Sequence, residues 1–297
     1  MFLYLILTVS IFSMMGNNVA VNLYGKSPSK NSSDPYMFNL ISTVICAVIF
    51  VLLSLVTGGV SVYTLVAGIA LGILTNCANL FKVLAFSSGP LHYSNLIITS
   101  SFVIAAMYDY TLGGKPIEFP KDYIRIAVMI ILLLFVFISQ DNKKGDTKAT
   151  LRWIGFCMVA FFANGFIGIV QRVHQTSDYR DQRTFMLAVT FVISTLFSAA
   201  IYKVISKKTH QNSSITLTSK GAVYAYSAGI FLFVMHYINL FLSGVMPSAI
   251  FFPLVNGGSI FLTSVASIVF FKEKITVKQL IGIIGGIACI VIIGLTS

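Results

Sequence analysis

Long apolar runs, nearly free of charge, follow one another from end to end of this 297-residue chain. A helix needs about 20 mostly apolar residues to cross a hydrocarbon core of about 30 Å. Hydrophobic residues make up 57% of the chain and charged residues 10%, where a soluble domain carries about a quarter charged. Such a chain cannot cover a folded exterior with polar side chains unless that exterior faces lipid. A soluble enzyme and a disordered tail are both excluded, and the chain reads as an all-α polytopic integral membrane protein. Strands survive in lipid only as closed barrels, and no two-residue alternation is present.

Ten spans are expected: Phe2–Tyr24, Tyr36–Leu55, Val62–Phe86, Leu91–Tyr110, Tyr123–Ile138, Leu151–Val173, Phe185–Ile205, Gly221–Leu242, Ser248–Phe271 and Val277–Leu295. Turn signals support the cuts. Ser27-Pro28, Asp34-Pro35, Gly58-Gly59 and Gly89-Pro90 bound the first loops, and Gly113-Gly114 with Pro116 and Pro120 precede the fifth span. The polar stretches Asp141–Lys148 and Ser206–Lys220 are linkers, with no room for an aqueous domain.

The two halves, 1–140 and 150–297, look alike. Asn79-Leu80-Phe81 near the end of span three matches Asn239-Leu240-Phe241 near the end of span eight, and a proline, Pro90 or Pro247, then opens the next span. The pattern predicts a duplicated five-span unit. Because five is odd, the second copy enters the membrane upside down, the arrangement by which many transporters build two alternately open states.

The segment Pro247–Gly258, followed by Phe271-Lys272-Glu273-Lys274-Ile275-Thr276-Val277-Lys278-Gln279-Leu280-Ile281-Gly282, resembles the C-terminal repeat of EamA-like transporters, in the drug/metabolite transporter superfamily. Glu273, Thr276, Gln279 and Gly282 stand where that signature has its Glu, Thr or Ser, Gln and Gly. The first-half counterpart, Gly113–Arg125, is degenerate, with Glu118 an approximate match. The resemblance implies ten helices, an inverted repeat and solute transport or export. It does not fix the solute.

The formal net charge of +11 is scattered over short loops, as membrane proteins place Lys and Arg on the cytoplasmic side. It forms no basic stripe with interleaved aromatics, so nucleic acid is not an expected partner. The larger basic set includes Lys26, Lys30, Lys143, Lys144, Lys203, Lys207, Lys272 and Lys278; the smaller includes Lys115, Lys121, Arg125, Arg172, Arg180 and Arg183. Charge thus puts both termini on one side, outside, whereas relatives implied by the resemblance usually hold both inside. The expected location is a bacterial inner or plasma membrane. Cys46, Cys77, Cys157 and Cys289 lie in apolar runs and read as buried structural thiols.

Ionisable residues inside a bilayer are functional candidates by default. All nine acids lie in loops or at span ends, which argues against proton antiport through a buried Glu. Lys82 is the cation within an apolar span; it could meet an anionic substrate group or snorkel to the interface. His236 sits near the middle of span eight. The amides Asn17, Asn18, Asn76, Asn79, Asn95, Asn164, Asn239 and Asn256 fall on spans that correspond pairwise across the halves, and each reads either as cavity lining or as glue between helices. Pro253 with Gly257 and Gly258 is a candidate hinge. Gly282, Gly285 and Gly286 read as a close-packing face, within the chain or between subunits of a possible homodimer.

No nucleotide loop, zinc spacing or nucleophile–base constellation is present, and His92, His174, His210 and His236 are dispersed. No enzyme activity, cofactor or metal is expected. The expectation is a secondary transporter working by alternating access, with a small-molecule substrate that is polar and has room for an anionic group, and with membrane lipid as its surroundings. A lipid flippase, a non-transporting scaffold and an enzyme on lipid-linked substrates are the rivals.

Overall fold

A computed structural model describes residues 2–25, 34–88, 94, 97–114, 116–138, 151–208, 219–271 and 276–295. Its helices are α1 (Phe2–Gly25), α2 (Asp34–Thr57), α3 (Val62–Ser88), α4 (Phe102–Ala106), α5 (Tyr108–Thr111), α6 (Lys121–Ile138), α7 (Leu151–Gln175), α8 (Arg183–Lys208), α9 (Ser219–Val245), α10 (Ser248–Phe271) and α11 (Val277–Leu295). Among the described residues there is no strand. Seven helices are long and apolar enough to cross a membrane: α1, α2, α3, α7, α8, α9 and α10. This is the make-up of an integral membrane protein. α6 carries Lys121, Asp122 and Arg125 in its first turns, and α11 offers a shorter apolar stretch, Val277–Ile293.

The polarity is turned inside out relative to a soluble protein. Leu52, Val66, Leu134, Leu196 and Ile284 are exposed, while Asn17, Asn76, Gln171 and His236 are buried. Among the described residues the interior holds four apolar clusters, of which two are large. One joins α1, α4, α6, α10 and α11 around Leu132, Ile250, Phe251 and Ile293. The other joins α2, α3, α7, α8 and α9 around Phe50, Leu71, Met186, Phe191 and Leu240.

Partner helices run antiparallel. On α2 and α8, Asn39 meets Ser198, Phe50 stacks on Phe191 and Thr57 meets Thr184. On α3 and α7, Thr64 meets His174 and Phe81 meets Phe156. On α1 and α9, Ser10 meets Asn239 and Asn17 meets Ala228. α6 packs on α11.

Two helix starts are readable in side-chain chemistry. Ser61 Oγ accepts the Thr64 N–H at 3.2 Å, capping α3, while its hydroxyl donates to Gln182 Oε1 at 2.7 Å. At α11, Thr276 Oγ1 accepts the Gln279 N–H at 3.3 Å and Gln279 Oε1 accepts the Thr276 N–H at 3.0 Å. This is a capping box.

The expected fourth span is not one regular helix. Val103 N–H bonds to Ser100 O and Ile104 N–H to Ser101 O, the tighter three-residue pattern, before α4 and α5 follow as separate short pieces. The hydroxyl run Thr99-Ser100-Ser101 offers the backbone alternative partners. In α10, by contrast, the helix continues through Pro253. At the candidate hinge, Gly257 lies against Leu132 and Ile290 and Gly258 against Ile11. Gly285 and Gly286 are likewise occupied within the chain, facing Phe135 and Phe261.

Close approach of α3 to α8 depends on Gly68 and Gly72, four residues apart, as small residues allow backbones to meet in lipid. A Cβ at Gly72 would lie 2.6 Å from the Thr190 carbonyl oxygen, a backbone atom that cannot swing aside. Gly72→Ala should therefore lower stability by about 1–3 kcal/mol, measured as the unfolding midpoint in detergent, whereas Gly155→Ala, with open space around it, should change little.

At the aqueous end of α6, burial pushes the Asp122 carboxyl up, but bonds from Tyr110 OH (2.6 Å), the Glu118 N–H (2.9 Å) and Arg125 outweigh this and hold it below the usual carboxylate range. A depressed carboxylate stabilises the fold above its unfolded pKa and stops doing so as pH falls through the folded value. Acid titration of the unfolding midpoint should show this loss below about pH 4, and Asp122→Asn should flatten it.

Candidate functional site

A cavity of about 90 Å³ lies between the two large apolar clusters, lined from α1, α3, α7, α9, α10 and the segment 98–105. Three helices present it with one stripe each, at the i, i+3, i+4, i+7 spacing of a single face: Thr75, Ala78, Asn79 and Lys82 on α3; Asn164, Ile167, Gly168 and Gln171 on α7; Leu232, Met235, His236 and Asn239 on α9. α1 adds Met14, Asn17 and Asn18, and α10 adds Phe251, Phe252, Val255 and Asn256.

The cavity therefore gathers Asn17, Asn18, Asn79, Lys82, Asn164, His236, Asn239 and Asn256, eight of the ten candidates read from sequence. Asn76 is not among them. It is 2% exposed and its Oδ1 accepts from Asn39 Nδ2 (2.9 Å) and Ser198 Oγ (2.7 Å), tying α3 to α2 and α8. Asn95, like His92 and Glu273, lies outside the described residues. Pro253 adjoins the lining without belonging to it.

Most lining amides also bridge helices. Asn17 Nδ2 donates to Ala228 O at 3.3 Å, Asn164 Nδ2 to Ser101 Oγ at 2.8 Å, and Asn239 Oδ1 accepts from Ser10. Asn256 Nδ2 turns back to Phe252 O at 3.0 Å within its own helix. Lining and glue are thus not exclusive roles. Lys82 Nζ donates to Asn18 Oδ1 at 2.6 Å and stands 5.7 Å from the Phe86 ring centroid. Thr75 Oγ1, Asn79 Nδ2 and His236 Nδ1 have no hydrogen-bond partner.

Sequence reasoning missed Gln171, Thr75 and Thr99 in the lining and, beside it, a buried ion pair. Arg172 follows Gln171 and grips Asp109 with two bonds, Nε to Oδ1 at 3.0 Å and Nη2 to Oδ2 at 3.1 Å. Arg172 Nη1 also donates to Ser243 O and to Met246 O (2.9 Å), and Asp109 Oδ2 accepts the Ser248 N–H at 3.0 Å. The guanidinium thus sits at the end of α9 and the carboxylate at the start of α10, each facing the helix pole of opposite sign. No signal in the sequence pairs the two, because both read as ordinary span-end charges.

The four cysteines are free thiols, Cys77 half-buried and the others buried. Among the described residues no cluster of His, Cys, Asp or Glu could hold a metal ion.

The sequence matches no protein-family model and no curated protein. Solved structures do match, 28 chains in all. One, described only as the crystal structure of a protein, superposes with a TM-score of 0.77 over 98% of this chain and 96% of its own, at 13% identity. That likeness is one of fold.

Removing one partner of a buried ion pair leaves the other uncompensated, at about 3–5 kcal/mol, whereas replacing both by apolar groups can be neutral. Asp109→Leu or Arg172→Met alone should each destabilise the protein by that order. The double variant should recover most of the loss in the same unfolding assay.

Proposed function

We propose that this chain is a ten-span secondary transporter, built from two inverted five-helix repeats like the EamA-like carriers, that moves a small polar solute by alternating access. The carrying observation is that equivalent positions of the two halves line one polar cavity. Asn79 and Asn239, matched by the repeated Asn-Leu-Phe, both face it, and the first helix of each half contributes to its lining.

Packing supports an inverted duplication. Exchanging the halves turns the α3–α7 contact into the α9–α1 contact and the α3–α8 contact into the α9–α2 contact, while α2–α8 and α6–α11 map onto themselves. The α3–α7 and α9–α1 contacts are both antiparallel and the α3–α8 and α9–α2 contacts both parallel, so each pair keeps its sense on exchange. The broken segment 97–111 supports a substrate site, since discontinuous helices in transporters bring backbone groups to the cavity.

A non-transporting scaffold has no use for unsatisfied polar atoms around an internal hollow. Both termini of a ten-span chain lie on one side of the membrane, here assigned to a bacterial inner or plasma membrane. Since Gly285 and Gly286 are filled from within, a homodimer would need another face.

The test is flux. Purified protein in lipid vesicles loaded with a metabolite mixture should exchange at least one small polar solute. Asn79→Leu and Asn239→Leu should each slow that exchange about tenfold or more, since each removes a hydrogen-bonding group worth about 1–3 kcal/mol when buried. A folded protein that exchanges nothing defeats the reading.

A further inference from the structure

The cavity wall is electrically lopsided. Among the described residues of the lining, Lys82 is the charged one, and there is no Asp, Glu or Arg. Its ammonium has three donors and one hydrogen-bond acceptor, Asn18 Oδ1. No ion pair joins it to a described residue. Asp109 is engaged elsewhere, holding Arg172 and the Ser248 N–H at the α9–α10 turn. Among the described residues, Lys82 therefore brings the lining a positive charge that no acidic side chain meets.

A second observation points the same way. Thr75 and His236 are 1% and 5% exposed, line the cavity, and leave Thr75 Oγ1 and His236 Nδ1 without partners. Asn79 Nδ2, a pure donor, is also unpartnered. Thr75, Asn79 and Lys82 lie along one face of α3, so a hydroxyl, an amide N–H and an ammonium form a row. Buried donors without partners are costly, and a ligand carrying acceptor oxygens satisfies all three at once.

We infer that the cavity takes a solute with one net negative charge, a monocarboxylate or an equivalent monoanion, whose oxygens lie along Thr75, Asn79 and Lys82 while its uncharged polar remainder reaches toward His236. This rests on the transporter reading above and narrows its substrate class. A dianion would leave one negative charge uncompensated in a low-dielectric site, and an organic cation would meet Lys82 with like charge; both are costly. A neutral solute would leave the ammonium unpaired.

The experiment is counterflow from vesicles loaded with matched probes: lactate and benzoate, their amides lactamide and benzamide, the dianions malate and succinate, and the cations ethanolamine and choline. Release confined to the monocarboxylates, reduced about ten- to a hundredfold in Lys82→Met and largely restored in Lys82→Arg, is the expected result. Release of amides, dianions or cations as fast as the acids overturns the inference and leaves the transporter reading standing, as does monocarboxylate release unchanged in Lys82→Met. Release of no probe by folded protein counts against both. Unfolding of the empty protein gives an independent check. Removing a half-buried ammonium that has no acidic partner should raise the midpoint of Lys82→Met above wild type; an equal or lower midpoint shows Lys82 to be solvated at the interface and overturns the inference.

Discussion

A polar atom in a bilayer has no water to fall back on, so each must find its partner inside the protein. That constraint explains where the side-chain chemistry of this molecule lies. Asn39, Asn76 and Ser198 close a buried triangle among α2, α3 and α8. Arg172 and Asp109 settle both charges and three backbone groups around the α9–α10 turn. Among the described residues six buried side-chain atoms lack a partner, and three of them, on Thr75, Asn79 and His236, border the same hollow, while those of Ser194, Thr195 and Ser248 lie outside its lining.

The fold was largely legible because hydropathy reports directly on a lipid-facing exterior. The seven helices long enough to span start and end within a few residues of the expected limits. The interruption of the fourth segment was not legible because Thr99-Ser100-Ser101 adds little polarity to an apolar run. Pro253 removes one backbone donor, yet α10 runs on through it while packing on α1, α4 and α11.

The site was legible at the level of residue type and blurred at the level of azimuth. Asn76 and Asn79 are three apart, which counts as one face in a sequence pattern. A step of three residues still leaves them about 60° apart around the helix. That is enough to turn Asn76 to α2 and α8 while Asn79 faces the hollow. Thr75, four residues from Asn79, falls about 40° to the other side and joins the lining. Gln171 escaped notice because a glutamine one residue from an arginine at a helix end reads as headgroup chemistry.

The reciprocal bonds between Thr276 and Gln279 give a mechanical meaning to the part of the sequence most reminiscent of a known carrier family. Those two residues nucleate the final helix; they touch nothing in the central hollow. A signature written in such positions records how the last crossing is launched from the aqueous edge. The residues around the hollow are therefore free to change without disturbing the stitch that starts the closing helix.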